Sequence, residues 1–192
     1  MTHRLVTVFG ASGRQGVEQI RALRAKGFAV RAVTRGRLGP ADLADIPTVP
    51  AVYLDPASLD SACDGAEAVF YTAPAFANAL RGLDFARNVG AAAADAGARV
   101  ICKSSSWVPD EPVGQPGYDG RLAMENAIEA EGAALTVFRP VLFMDNLLTA
   151  WAKPFLQTEN AFVYPHRAGL EADWLCLEDV AAFMVAALDQ GW

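Results

Sequence analysis

Histidine and cysteine are scarce in this chain of 192 residues, which has two of the first and three of the second. Cys63, Cys102 and Cys176 are odd in number and widely spaced, so neither a disulfide framework nor a Cys/His metal site is expected. Cys102 and Cys176 fall in strand-like runs and read as reduced core thiols. Long apolar runs are also lacking, although 53% of the residues are hydrophobic, so no membrane-spanning segment is expected. The start of the chain has no basic-then-apolar pattern of a secretory signal, because its apolar run is short and ends in glycines. A basic excess is missing too. The net charge of −6 speaks against a general nucleic-acid surface, which needs Lys and Arg to release counterions. These absences lead to the expectation of a soluble cytoplasmic protein folded as one domain over 1–192.

What is present begins at once. The apolar run of residues 4–9 leads into Gly10-Ala-Ser-Gly13-Arg-Gln-Gly16, and a helical pattern follows to Lys26. This is the strand, turn and helix that opens a dinucleotide-binding βαβ unit. Gly10 allows a tight turn, Gly13 lets backbone N–H groups approach a pyrophosphate, and Gly16 lets the helix pack close to the strand. A pyrophosphate there meets unpaired N–H groups and the positive end of the helix dipole. The plainer alternative is a strand-to-helix turn that happens to be rich in glycine.

Strand-like and helix-like segments alternate along the rest of the chain. Strands are expected at 4–9, 28–33, 49–54, 68–72, 99–102, 135–139 and 173–177, and helices at 14–26, 58–63, 76–96, 119–131 and 178–188. Such alternation predicts an α/β fold, a doubly wound parallel sheet with helices on both faces. The alanine run at 91–94 reads as tight helix packing. After the second strand, where an NAD-preferring site places Asp or Glu for the ribose 2′-OH, this chain has Thr34-Arg35-Gly36-Arg37. A guanidinium there suits the 2′-phosphate of NADP(H), and Arg14 in the glycine turn reaches toward the same group. The alternative for Arg35 and Arg37 is a pair of solvated loop charges.

The ordered series of motifs resembles the NmrA-like family of atypical short-chain dehydrogenases/reductases. It comprises the glycine turn, Thr34-Arg35, Asp55, Ser104-Ser-Ser106, Glu125, Arg139-Pro140, Asp145-Asn146-Leu-Leu148 and Leu177-Glu-Asp-Val180. The resemblance runs from about Leu5 to Leu188 and implies a Rossmann fold that binds NADP(H), with 141–177 contributing a small substrate lobe. It implies cofactor contacts from Gly10, Ser12, Gly13, Arg14, Gln15 and Gly16, and from Asp55 beside the adenine. Thr72, Ala73 and Pro74 would lie along the ribose and nicotinamide. Asp55 also reads as a turn residue before Pro56, and Pro74 as a strand terminator. By the same resemblance a serine after the fifth strand orients the substrate oxygen. Ser106 matches that place best and Ser105 next, though clustered serines also simply begin loops.

One family feature of short-chain dehydrogenases is missing. Tyr-x-x-x-Lys places two side chains on one helix face, where Lys lowers the Tyr pKa for proton transfer. Here Leu122 stands four residues after Tyr118. Arg121 precedes Glu125 by four and is expected either to touch the nicotinamide ribose or to pair with Glu125 on the helix surface. An arginine guanidinium holds its proton too tightly to serve as the acid. Quinone reduction tolerates this loss, since the oxygen collects its proton from water. Trp107, Phe143, Trp151 and Phe155 are candidate aromatic walls for such a substrate, and His166 a candidate donor. The 108–117 loop, rich in Pro and Gly, reads either as a lid or as an irregular connection.

The chain stops soon after the helix at 178–188, where the family resemblance implies further elements of the substrate lobe. The expected site is therefore open, or the chain is a piece of a longer one, or a second copy in a homodimer covers it. Three functions remain. The first is an NADPH-dependent reductase of a quinone-like conjugated acceptor. The second is an NADP(H)-sensing regulator with a protein partner, and the third is a sugar-nucleotide epimerase relative, which suffers most from the missing Tyr-x-x-x-Lys pair.

Overall fold

The computed structural model describes residues 4–74, 79–103, 108–164, 166 and 169–191. Leu5–Phe9 (β1), Ala29–Val33 (β2), Thr48–Val49 (β3), Ala68–Thr72 (β4), Arg99–Lys103 (β5) and Leu135–Phe138 (β6) form one sheet. Every pairing in it is parallel, and the order is β3-β2-β1-β4-β5-β6. The chain winds outward from β1 to β3, returns to β4 on the other side of β1, and winds outward again. The β1/β4 border is thus the point where strand order reverses, and a crevice opens there at the carboxyl ends of the strands.

Side chains alternate across the strands, and both faces are covered, which is why the strands read as nearly continuous apolar runs. On one face Val6, Val8, Phe70 and Ile101 pack with Val17, Ile20 and Leu23 of Arg14–Ala25 (α1). The same cluster takes in Val180, Met184 and Leu188 of Leu177–Gln190 (α6). On the other face Phe9, Val69, Val100 and Cys102 meet Pro56–Cys63 (α2), Ala79–Asp95 (α3) and Pro116–Ala130 (α4). The doubly wound sheet expected from the alternation is there. The alanine run serves α3 as expected, with Ala92 and Ala93 buried.

Four expectations need correction. The third strand is only two residues long, because the Asp55 N–H bonds back to Val52 O at 2.8 Å and Pro56 at once opens α2. The 173–177 segment contributes only Trp174–Leu175, and these pair with Leu142–Phe143 in a separate two-stranded parallel sheet. Between these strands lie a 3-10 turn at Met144–Leu148 and a short helix, Lys153–Thr158 (α5). Helix α4 begins at Pro116, inside the expected 108–117 loop, since proline suits the first helical position. Cys176 is no strand thiol: it caps α6, its Sγ accepting the Asp179 N–H at 3.4 Å while the Asp179 carboxylate accepts the Cys176 N–H. Cys102 is buried as expected; Cys63, for which no burial was expected, is buried too, and that burial pushes its thiol up to about 12.

The core also holds a cost. Tyr71 is fully buried and its hydroxyl has no hydrogen-bond partner among the described residues. Burial holds its pKa well above the usual value. An unpaired buried hydroxyl costs about 1–3 kcal/mol, and the ring alone keeps its edge contact with Phe9. Tyr71→Phe is therefore expected to raise the thermal midpoint by roughly 2–6 °C in calorimetry. A lowered midpoint would show that the hydroxyl is satisfied in solution.

Candidate functional site

The site is built where β1 and β4 end side by side. Val8 pairs with Phe70, so Gly10 lies level with Thr72 just beyond the strands. Gly10 has φ +69°, a conformation that favours glycine, and its carbonyl accepts the Gly13 N–H at 2.9 Å. Gly16 is set against this turn: a Cβ added there would lie 2.7 Å from Ala11 Cα and overlap Gly10 O. The close approach thus runs from α1 to the turn itself, where the sequence placed it between helix and strand.

The N-terminus of α1 is left open. Its N-cap, Gly13, supplies no side-chain cap, and the first turn holds no acidic residue. The amides of Arg14, Gln15 and Gly16 precede the first intrahelical bond, which the Val17 N–H makes to Gly13 O. Ser12, Gly13 and Arg14 are exposed and Gln15 is half-buried. Thr72 turns its hydroxyl toward Gln19 Nε2 at 3.4 Å, while Ala73 and Pro74 are half-buried beyond the strand.

Next door, Phe9 pairs with Val33, so Thr34 and Arg35 extend beyond the neighbouring strand beside the glycine turn. Thr34 Oγ1 accepts the Gly36 N–H at 3.3 Å and turns the chain there. Arg35 is exposed, and no hydrogen bond or ion pair reaches it among the described residues. Arg37 is exposed as well. Asp55 is the N-cap of α2 through its backbone alone: its carbonyl accepts the Ser58 and Leu59 N–H groups, and its exposed carboxylate makes no capping bond.

Other expected residues behave differently. Arg14 reaches across to Asp145, donating from Nη2 to the backbone oxygen at 2.6 Å. Arg121 does not pair with Glu125. Its guanidinium lies 5.7 Å from the centre of the Tyr118 ring, while Glu125, buried toward the sheet, accepts from Arg139 Nη2 at 2.5 Å. The other Glu125 oxygen, Oε1, has no partner among the described residues, and α4 thus carries its carboxylate inward on the strength of one arginine from the end of β6. Ser105, Ser106 and Trp107 lie outside the described residues.

Phe143 is half-buried and packs against the core. Trp151 instead joins a cluster that the sequence did not disclose. The Tyr164 ring meets Trp151 at 5.3 Å, Trp174 at 4.9 Å and Phe162 at 6.2 Å. His166 stacks on the same ring at 5.1 Å, and Asn146 Nδ2 donates to the Tyr164 hydroxyl at 2.9 Å. Trp151 is 45% and Phe162 59% exposed, so the cluster presents two open faces.

Two cavities bracket the sheet. The larger, about 540 Å³, lies at the opposite end, where Arg4 is already neutralised by Glu67 and Asp189. The smaller, about 330 Å³, adjoins the glycine turn; Ser12, Arg14, Glu18 and Asp145 are the polar and charged residues of its lining. The smaller one has the better claim, because ligands of open parallel sheets bind at the carboxyl ends of the strands. Among the described residues no His/Cys/Asp/Glu group is arranged to hold a metal, and no helix is long and apolar enough to cross a membrane.

A glycine turn at the switch point of this strand order defines a Rossmann-type dinucleotide-binding fold. The chain belongs to the NmrA-like family, whose model matches residues 2–191. Among solved structures it is similar to the triphenylmethane reductase of Citrobacter sp. complexed with NADP(H), with a TM-score of 0.75 at 23% identity. That match covers 95% of this chain and 65% of the reductase. It is also similar to the NADPH-dependent quinone oxidoreductase of Escherichia coli complexed with NADPH, with a TM-score of 0.72 at 22% identity, over 97% of this chain and 65% of that one. A mutant of NmrA itself gives 0.75 at 20% identity, over 100% and 63%. The chain thus spans just under two thirds of these proteins. No curated protein matches it in sequence.

Proposed function

We propose that the protein binds NADP(H) at the glycine turn and reduces a quinone or a similar conjugated acceptor. The observation that carries this reading is the uncapped first turn of α1 lying beside Arg35, a cation without a partner among the described residues at the end of the adjoining strand. Together they offer backbone donors to a pyrophosphate and a guanidinium to a 2′-phosphate. The residues fit the group: Gly16 cannot carry a side chain, and no carboxylate stands in the first turn to repel a phosphate. When bound, the reduced nicotinamide supplies the hydride.

The chain's own residues position the reactants. Thr72, Ala73 and Pro74 line the ribose and nicotinamide, and Asp55 accepts from the adenine amino group. Ser106, with Ser105 next, orients the acceptor oxygen. Arg121 contributes charge near the ribose and transfers no proton. The sequence has no Tyr-x-x-x-Lys pair to act as the acid, so the acceptor is one whose oxygen takes its proton from water. Orientation is then the main service of the protein. Segment 141–177 forms the acceptor lobe, and a homodimer encloses the pocket. Three free cysteines suit a cytoplasmic setting. The two neighbours crystallised with NADP(H) and NADPH support the cofactor.

A second reading, an NADP(H)-sensing regulator, is favoured by Leu122, which is buried where the catalytic lysine belongs. Calorimetric titration with NADPH and NADH, followed by a quinone panel under reduced-nicotinamide absorbance, separates the two. Preference for NADPH by at least about tenfold (1.4 kcal/mol) and acceptor-dependent oxidation are expected. Binding without oxidation across the panel would favour the sensor, and no binding of either nucleotide would end both readings.

A further inference from the structure

Arg14 leads away from the turn it belongs to. Besides the bond to Asp145 O, its guanidinium stands 3.7 Å from Asp145 Oδ1. The carboxylate one turn along its own helix, Glu18, is occupied by Arg21 at 2.7 Å, so Arg14 is left to the partner from the 144–148 turn. Asp145 also reaches the last helix, where its Oδ2 accepts the N–H of Leu177, the first residue of α6, at 2.9 Å. The next residue, Asn146, holds the Tyr164 hydroxyl and with it the aromatic cluster. One 3-10 turn therefore grips the glycine turn, the start of α6 and the Tyr164 cluster through two consecutive residues.

The ion pair at 3.7 Å is weak and the bond to Asp145 O is a single exposed one, whereas a phosphate offers Arg14 more charge and a bidentate edge. We propose that a cofactor phosphate takes Arg14 from Asp145, and that occupancy of the glycine turn thereby loosens the 144–148 turn, the start of α6 and the Tyr164 cluster. This rests on the nucleotide-binding reading above. It makes the two ends reciprocal: whatever steadies the turn on Arg14 weakens phosphate binding by the same factor. For a reductase the link loosens the acceptor lobe once the cofactor is in place. For a sensor it carries the signal.

Hydrogen exchange followed by mass spectrometry on the full chain tests the link. NADP⁺ is expected to speed exchange severalfold over 144–149 and at the first amides of α6. Arg14→Met is expected to show the faster exchange without nucleotide and no further change with it. Asp145→Asn keeps an acceptor for the Leu177 N–H but lacks the charge, and it serves where Arg14→Met impairs folding. Its NADP⁺ affinity is expected to rise about two- to fivefold in calorimetry. A response to NADP⁺ alone assigns Arg14 to the 2′-phosphate, and an equal response to NAD⁺ assigns it to the pyrophosphate; either upholds the exchange of partners. NADP⁺ binding with unchanged exchange at both segments overturns the link and leaves the nucleotide reading standing. Absence of NADP⁺ binding overturns both.

Discussion

A valine at position 16 is expected to abolish binding of NADPH and NADH alike. The added Cβ overlaps Gly10 O and lies 2.7 Å from Ala11 Cα, both of them backbone atoms that no rotamer change can move. Relief requires α1 to back away from the turn, and that displaces the amides that would face the phosphates. Overpacking of this kind costs about 3 kcal/mol or more, because backbone must shift. The same helix buries Val17, Ile20 and Leu23 in the core, so the thermal midpoint is expected to fall as well. Gly13→Ala is the control. Its Cβ would stand 3.2 Å from Gly10 O at φ −78°, a tight but adoptable position. That variant is expected to keep its midpoint within a few degrees while weakening both nucleotides. Unchanged NADPH affinity in Gly16→Val, measured by calorimetry, would place the nucleotide elsewhere.

The second large effect concerns which nucleotide is chosen. Arg35→Asp is expected to weaken NADPH on the order of 100-fold and NADH by no more than a few-fold. A charge-assisted bond to phosphate is worth about 1.5–3 kcal/mol, and the introduced carboxylate adds repulsion. For NADH the same carboxylate accepts from the ribose 2′-OH, which offsets part of any local disturbance. Arg35 makes no bond within the described residues and is exposed, so the fold is expected to be untouched. Equal losses for both nucleotides would remove the 2′-phosphate role and leave Arg35 a solvated charge.

The parts of this molecule legible in its sequence are those fixed by local chemistry. Ala68–Thr72 shows its bounds because an apolar run buried in the sheet stands between turn residues. The glycine turn shows itself because its φ and its close contacts admit few other residues. Legibility fails where a distant neighbour decides. Nothing local reveals that Arg14 will seek Asp145, 131 positions along, or that Glu125 will turn inward to Arg139. The two-residue strands Leu142–Phe143 and Trp174–Leu175 exist only because they meet each other. The aromatic cluster escapes for the same reason: Trp151, Phe162, Tyr164 and Trp174 have no common period, and the 3-10 turn and α5 bring them together.

The order in which the cradle is made differs from the order in which it is completed. The face of β1 and α1 that bears Val6, Val8, Ile20 and Leu23 is closed by Val180, Met184 and Leu188, and Arg4 bonds to Leu188 O and Asp189 across almost the whole sequence. A ribosome adding 5–20 residues per second needs roughly ten to thirty seconds to travel from α1 to α6. Through that interval α1 has only the strands to pack on, and the part of its apolar face that α6 covers stays open. The core behind the glycine turn is therefore complete only after residues 177–190 have emerged and docked.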